Sequence, residues 1–128
     1  MSNDSSTRPV RLAVPAEPDF ARSVRMLAAN LAVTCGLTLD DVEDVRMAAE
    51  EGFVWCCATR PDTCEVAFEC APGALSMRFA FGPHALAADD QTSAYAELIL
   101  TAVCDECSLD REAGELRLTK GTGAVHGE

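Results

Sequence analysis

The stretch from Cys64 to Phe81 constrains this chain most. Cys64, Val66, Phe68 and Cys70 alternate with Glu65, Ala67 and Glu69, and Leu75, Met77, Phe79 and Phe81 alternate with Ser76, Arg78 and Ala80. A side-chain period of two puts each apolar set on one face of a strand. Between them, Pro72-Gly73 supplies what a type II turn requires, a fixed φ followed by a positive one. The pattern predicts an antiparallel hairpin with one face for a core and one for water. Something must cover the apolar face, and the flanking segments carry helical periodicity.

Val10, Leu12 and Val14 alternate with Arg11 and Ala13 and predict a first strand ended by Pro15. Pro18 and Asp19 open a helix with Phe20, Val24, Leu27, Ala28 and Leu31 on its apolar side, Arg22 and Arg25 facing away, and Gly36 as its stop. Thr38 with Asp41 is a capping-box variant, and Asp40, Asp41, Glu43 and Asp44 crowd the first turns of a second helix. Its apolar face is Val42, Val45, Ala49, Phe53 and Cys56, and it ends before Pro61. Trp55 falls about 200° from Phe53 at the helical advance per residue, so it is a candidate to plug a pocket or touch a partner.

After the hairpin, a loop from Gly82 to about Thr92 carries Pro83, His84, Asp89 and Asp90. Ser93 is positioned to cap a third helix whose apolar face reads Tyr95, Leu98, Ile99 and Ala102. A short strand near Cys107 to Leu109, a turn through Gly114 and a strand with Leu116 and Leu118 complete the domain. Helices and strands segregate rather than alternate, which predicts the α+β class: a mixed, mainly antiparallel sheet with three helices packed on one face. Residues 10–120 form one domain; residues 1–9 read as a disordered lead-in and 121–128 as a disordered, Gly-rich tail.

At 128 residues the chain buries roughly two thirds of its unfolded surface. Ile99 is its only isoleucine and aromatics make up 5%, so an Ala-rich core must gain stability from close packing. No apolar run is long enough to span a membrane, and the polar start carrying Asp4 is not a signal peptide. A cytoplasmic setting is expected. Lys120 and nine arginines oppose 21 carboxylates, for a net charge of −11. A nucleic-acid backbone is repelled by such a surface, which excludes direct DNA or RNA binding as an expectation. The acidity serves either solubility or an acidic docking face.

The stretch LAVPAEPDFARSVRMLAANLAVTCGLTLDDVEDVRMAAEEGFVWCC, Leu12 to Cys57, resembles the N-terminal half of the anti-sigma factor serine-protein kinases, which have the histidine-kinase-like (GHKL) ATPase fold. A strand ending in Pro, a helix, a Gly-containing acidic link and a second helix follow in the same order. The later elements fit in order and length but not in motif. The resemblance implies ATP and Mg²⁺ as cofactors, and a sigma factor, an anti-anti-sigma antagonist or a homodimer mate as partners. It also implies an oligomer surface on the first two helices, where Arg22, Arg25, Asp41 and Asp44 are the candidate partner-binding residues.

Three family elements are altered here. The second helix of the family carries a Glu, proposed as base toward the substrate serine, and four residues on an Asn that holds Mg²⁺. Glu51 stands at the Glu position, but Trp55 stands at the Asn position; the register starting from Glu50 gives Val54 instead. Indole offers no oxygen ligand to a hard cation. The family's Asp-x-Gly-x-Gly, whose Asp binds the adenine amino group, corresponds to Phe81-Gly82-Pro83-His84, with Phe81 for the Asp and Pro83 for the first glycine. The Gly-x-Gly that leads into the third helix and binds phosphate corresponds to Gln91-Thr92-Ser93-Ala94-Tyr95-Ala96, without glycine, and the ATP lid is short. The resulting expectation is a regulatory binding protein resembling an anti-sigma factor, with ATP, Mg²⁺ and serine-kinase activity lost. The rival readings are an active kinase with a rearranged site and a domain kept for association alone.

Seven cysteines without a secretory signal read as reduced thiols that serve as small apolar residues. Cys104 and Cys107 form a C-x-x-C at the C-terminal end of the third helix. There the helix dipole, Asp105 and Glu106 disfavour the thiolate that redox chemistry needs. Structural zinc would need two more ligands from Cys56, Cys57, Cys64, Cys70, His84 and His126, none of which makes a second spaced pair. His84 reads as an exposed loop residue.

Overall fold

The computed structural model describes residues 7–59, 61–82 and 90–121. Five strands, β1 (Arg8–Pro15), β2 (Thr63–Ala71), β3 (Ala74–Ala80), β4 (Glu106–Asp110) and β5 (Glu115–Lys120), form one sheet in the order β1-β2-β3-β5-β4. Three helices, α1 (Ala21–Thr34), α2 (Leu39–Ala58) and α3 (Asp90–Val103), cover one face of it. The class is α+β, as the segregated pattern predicts.

Every neighbouring pair is antiparallel, so the expectation of a mixed sheet is corrected. A helical crossover such as the one from β3 through α3 to β4 ordinarily brings parallel strands together. Here β5 returns between them and pairs with both, so β3 and β4 never touch. β1 also begins two residues before Val10: Arg8 pairs with Cys70 and Pro9 with Glu69. Pro9 is tolerated there because β1 is an edge strand.

The hairpin forms as its alternation requires. Cys64, Val66, Phe68, Cys70, Leu75, Met77 and Phe79 are buried, and Leu116 and Leu118 of β5 continue the same face. Gly73 has φ 79°, the positive value a type II turn demands, and its amide donates to Cys35 O at 2.8 Å. That bond fastens the turn to the α1–α2 link. Across this face, Val24, Ala28 and Ala32 of α1 and Val42, Val45, Ala49, Phe53 and Cys56 of α2 complete the core. Thr38 Oγ1 accepts from Asp41 N at 3.1 Å, which caps α2 as its sequence indicates.

The third helix is turned relative to its expected orientation. Ala96 and Leu100 are buried, whereas Tyr95 and Leu98 are 58% and 66% exposed and Ala102 is exposed as well. Ser93 lies inside the helix rather than at its cap. Two apolar stripes compete on α3, and the one with the smaller residues wins because it meets the bulky indole of Trp55 on α2. No helix among the described residues is long and apolar enough to cross a membrane.

Candidate functional site

Trp55 sits on the side of α2 that α3 covers, away from the Val42–Phe53 stripe. It is 6% exposed. Its Nε1–H donates to Ser93 Oγ at 3.3 Å, and its ring meets Phe81 edge-on, with centroids 5.1 Å apart and planes at 78°. Edge-to-face geometry suits the aromatic quadrupoles, and the hydrogen bond satisfies an indole donor that burial would otherwise strand. Phe81 is itself held from behind. Its amide donates to Gly114 O at 2.8 Å, and the amide of Gly82 donates to the same oxygen at 3.2 Å. Gly114 has φ 72°, and a Cβ there would stand 2.1 Å from Gly82 O, so only glycine permits this approach.

The three altered elements are thus represented in one cluster: Trp55 from the second helix, Phe81 from the end of the hairpin and Ser93 from the third helix. It is an apolar, aromatic cluster with one hydroxyl. Nothing in it offers a carboxylate to an amino group or an oxygen ligand to a cation. Pro83 and His84, with the expected short lid, lie outside the described residues, as do 122–128 of the expected tail with His126. Gly121 is buried and its amide donates to Asp105 Oδ2 at 2.7 Å, so the expected tail starts one residue too early.

Glu51 lies one turn before Trp55 and is half-buried. Burial raises its pKa above the usual carboxylate value, and the neighbouring Glu50 charge raises it further. Glu50 is tied elsewhere, accepting from Arg25 Nη1 of α1 at 3.0 Å. Arg25 therefore bridges α1 and α2 while lying off the apolar stripe of α1. A long guanidinium stem reaches across where a short side chain would not. Arg22 is exposed, on the outer side of α1 that also carries Met26 and Val33.

Asp41 and Asp44 also turn inward. Lys120, at the end of β5, places Nζ 3.0 Å from Asp44 Oδ2 and 3.8 Å from both Asp41 Oδ1 and Asp105 Oδ1. Burial acts to lower the Lys120 pKa, but the hydrogen bond to Asp44 and the charges of Asp105, Asp44 and Asp41 outweigh it, and the net shift is upward. The lone lysine of the chain thus neutralises part of the acidic start of α2. Neither Lys120 nor Ser93 as a partner of Trp55 is visible in the spacing of residues. The one available signal is compositional, a single lysine among 21 carboxylates.

The four buried cysteines sit in two spatial pairs. The sulfurs of Cys56 and Cys64 are 3.0 Å apart in the core, and Cys35 neighbours Cys70. Burial, with the neighbouring thiol adding to it, pushes Cys35 up to about 11, and burial with the Cys107 charge pushes Cys104 up to about 12. Cys107 is raised too, by burial and by Glu97. Both thiols of the C-x-x-C therefore hold their protons near neutrality, the opposite of an activated redox pair. Among the described residues no group of three or more His, Cys, Asp or Glu is arranged to hold a metal ion.

No protein-family model and no curated protein matches the sequence. Among solved structures, the chain is similar to the crystal structure of the RsbU and RsbW domains of a Mycobacterium tuberculosis protein, with a TM-score of 0.64 and 17% identity. The match covers 88% of this chain and 31% of that one, so the chain spans about a third of the protein it resembles. At that identity the likeness is one of fold. The fold is the one that the Leu12–Cys57 resemblance implies.

Proposed function

We propose that this chain is a cytoplasmic regulatory protein of the anti-sigma type that works by binding a sigma factor or an anti-anti-sigma antagonist and does not use ATP. The observation that carries this reading is the Trp55–Phe81–Ser93 cluster. By the resemblance, Trp55 and Phe81 match the residues that hold Mg²⁺ and adenine in those kinases, and Ser93 falls in the segment, Gln91 to Ala96, that matches their phosphate-binding glycines. A buried indole in place of an Asn removes an oxygen ligand and fills space, and a phenyl in place of an Asp removes the acceptor for adenine. Glu51 keeps the family's base position, but a carboxylate without a phosphate cradle has nothing to activate a serine toward.

With the nucleotide machinery replaced, what the fold still offers is surface. The similarity to a structure containing an RsbW domain supports the anti-sigma reading at the level of fold. Of the four residues that the resemblance assigns to partners, Arg25, Asp41 and Asp44 are engaged within the chain, and Arg22 is the one directed outward. Arg22, Met26 and Val33 share the outer side of α1, a basic and apolar strip on an otherwise acidic protein. In this reading that strip contributes to the contact.

Titration with ATP and ADP, with and without Mg²⁺, followed by calorimetry and Trp55 fluorescence, tests the loss of nucleotide. The expected result is no binding up to about millimolar concentrations, where the free energy of association would be only about −4 kcal/mol. Magnesium-dependent micromolar binding would instead favour the active-kinase reading. Co-purification with a candidate sigma factor or antagonist, weakened by Arg22→Glu, tests the partner.

A further inference from the structure

β4 is an edge strand, and all five of its residues are exposed. The opposite edge, β1, carries Pro9 and Pro15, which blunt strand addition, whereas β4 has no proline. Beside β4 the helical layer leaves a gap. A cavity of about 210 Å³ opens between α3 and the β4–β5 hairpin, floored by Trp55, Ala96, Leu100, Leu109 and Leu116. An apolar cavity of about 150 Å³ accepts benzene, so this one has room for an aliphatic side chain.

The register fixes which way a strand added here would point its side chains. Cys107 and Leu109 lie opposite Leu118 and Leu116, on the helix-covered face beside the cavity, while Glu106, Ser108 and Asp110 lie on the open face. Residues of an added strand that stand opposite Cys107 and Leu109 would point to the cavity side, and those opposite Glu106 and Asp110 would meet carboxylates. Glu106 has no ion pair among the described residues, Asp110 Oδ1 accepts from the Ala113 amide at 3.1 Å with its other oxygen left for a partner, and the cavity lining itself carries one charge of each sign, Glu97 and Arg111.

We infer that the β4 edge and the adjoining cavity accept an extended segment of a partner protein in which two apolar residues, separated by one position, are flanked by lysine or arginine. Main-chain hydrogen bonds to β4 supply affinity, the apolar pair occupies the cavity side, and the basic residues meet Glu106 and Asp110. A second copy of this chain is a poor occupant. Antiparallel pairing of two β4 strands about Ser108 sets Glu106 opposite Asp110 of the other copy at both ends, and like charges directly opposite destabilise a ladder. Each copy also carries a net charge of −11. This inference rests on the protein-binding reading for the class of partner but not on the partner's identity, nor on whether ATP binds.

The test uses the whole protein and a capped peptide of sequence Lys-Val-Thr-Val-Lys, so a failed search for a sigma factor does not affect it. Saturable quenching or shift of Trp55 fluorescence is expected, together with amide NMR shifts confined to β4 and the cavity. Glu106→Lys with Asp110→Lys should weaken the Lys-flanked peptide by about tenfold or more and gain binding of Glu-Val-Thr-Val-Glu. The neutral pair Glu106→Gln with Asp110→Asn should give an intermediate loss, which guards against a folding defect in the reversed pair. No saturation by about 1 mM overturns the inference, as do binding that ignores the charge reversal and shifts that map to β1. Concentration-dependent self-association through β4 without peptide overturns it as well.

Discussion

The indole of Trp55 and the hydroxyl of Ser93, 38 positions apart, are joined by a 3.3 Å hydrogen bond that ties α2 to α3. Burying the largest side chain in the molecule on that side of α2 decides which stripe of α3 turns inward.

Trp55→Ala should therefore destabilise the protein by about 3–5 kcal/mol, the usual cost of emptying a buried aromatic site. Trp55→Phe and Ser93→Ala each remove the hydrogen bond with less change in volume. A double-mutant cycle in urea should give a coupling of about 1 kcal/mol between them. A coupling near zero would show that Ser93 is a bystander.

The α3 orientation makes its own prediction. Leu100→Ala should cost about 2–5 kcal/mol because Leu100 is buried. Tyr95→Gln and Leu98→Gln, at positions that periodicity alone assigns to the core, should stay within about 0.5 kcal/mol of the parent. Denaturation midpoints with unchanged slopes would check this, and the reverse ranking would refute the packing of α3.

Lys120 holds three carboxylates from two other parts of the chain. Lys120→Met should cost about 1–3 kcal/mol by leaving them to repel one another. Because the folded-state pKa of Lys120 is raised above the ordinary 10.5, its contribution is fully present below that value. It is lost as pH rises through the higher folded-state value. Stability curves of parent and variant should converge on the alkaline side and stay apart at neutral pH.

Glu51 has the opposite sense. Its folded-state pKa is raised from 4.5, so the native state favours the protonated form, and ionisation erodes stability as pH rises through the folded value. Glu51→Gln should stabilise the protein at neutral pH by about 0.2–1 kcal/mol, an amount limited by solvent screening of a half-exposed group. The gain should vanish below pH 4.5. Urea midpoints of parent and variant on both sides of that pH check it, and a gain that persists in acid would refute the electrostatic cause.

The thiols divide by burial. Cys107 is exposed and should react first with an aromatic disulfide reagent, slowly because its pKa is raised. Cys56 and Cys64 are fully buried and should react only through global unfolding, so their labelling rate should follow denaturant as the unfolding constant does. Early labelling of that pair would show that the end of α2 opens locally.

Where local chemistry decides the outcome, the sequence is enough. Alternation over Cys64–Phe79, a Pro72-Gly73 turn and the Thr38 cap specify a hairpin and a helix start without help from distant residues, because period, φ and capping hydrogen bonds are satisfied within a few positions. The same locality makes the apolar face of α2 readable, and inspection alone is enough for the resemblance to set Trp55 and Phe81 against the family's Asn and Asp. Which of two apolar stripes on α3 is buried is not a local question, nor is the pairing of Arg25 with Glu50 or of Lys120 with Asp44. Those outcomes depend on what lies opposite: an indole that needs both volume and a hydrogen-bond acceptor, and charges brought within reach by strand order. The insertion of β5 between β3 and β4, which makes the sheet wholly antiparallel, leaves β4 at an edge beside an open cavity. That too belongs to the tertiary structure, since strand order follows from how several faces are covered at once and not from any one strand's own residues.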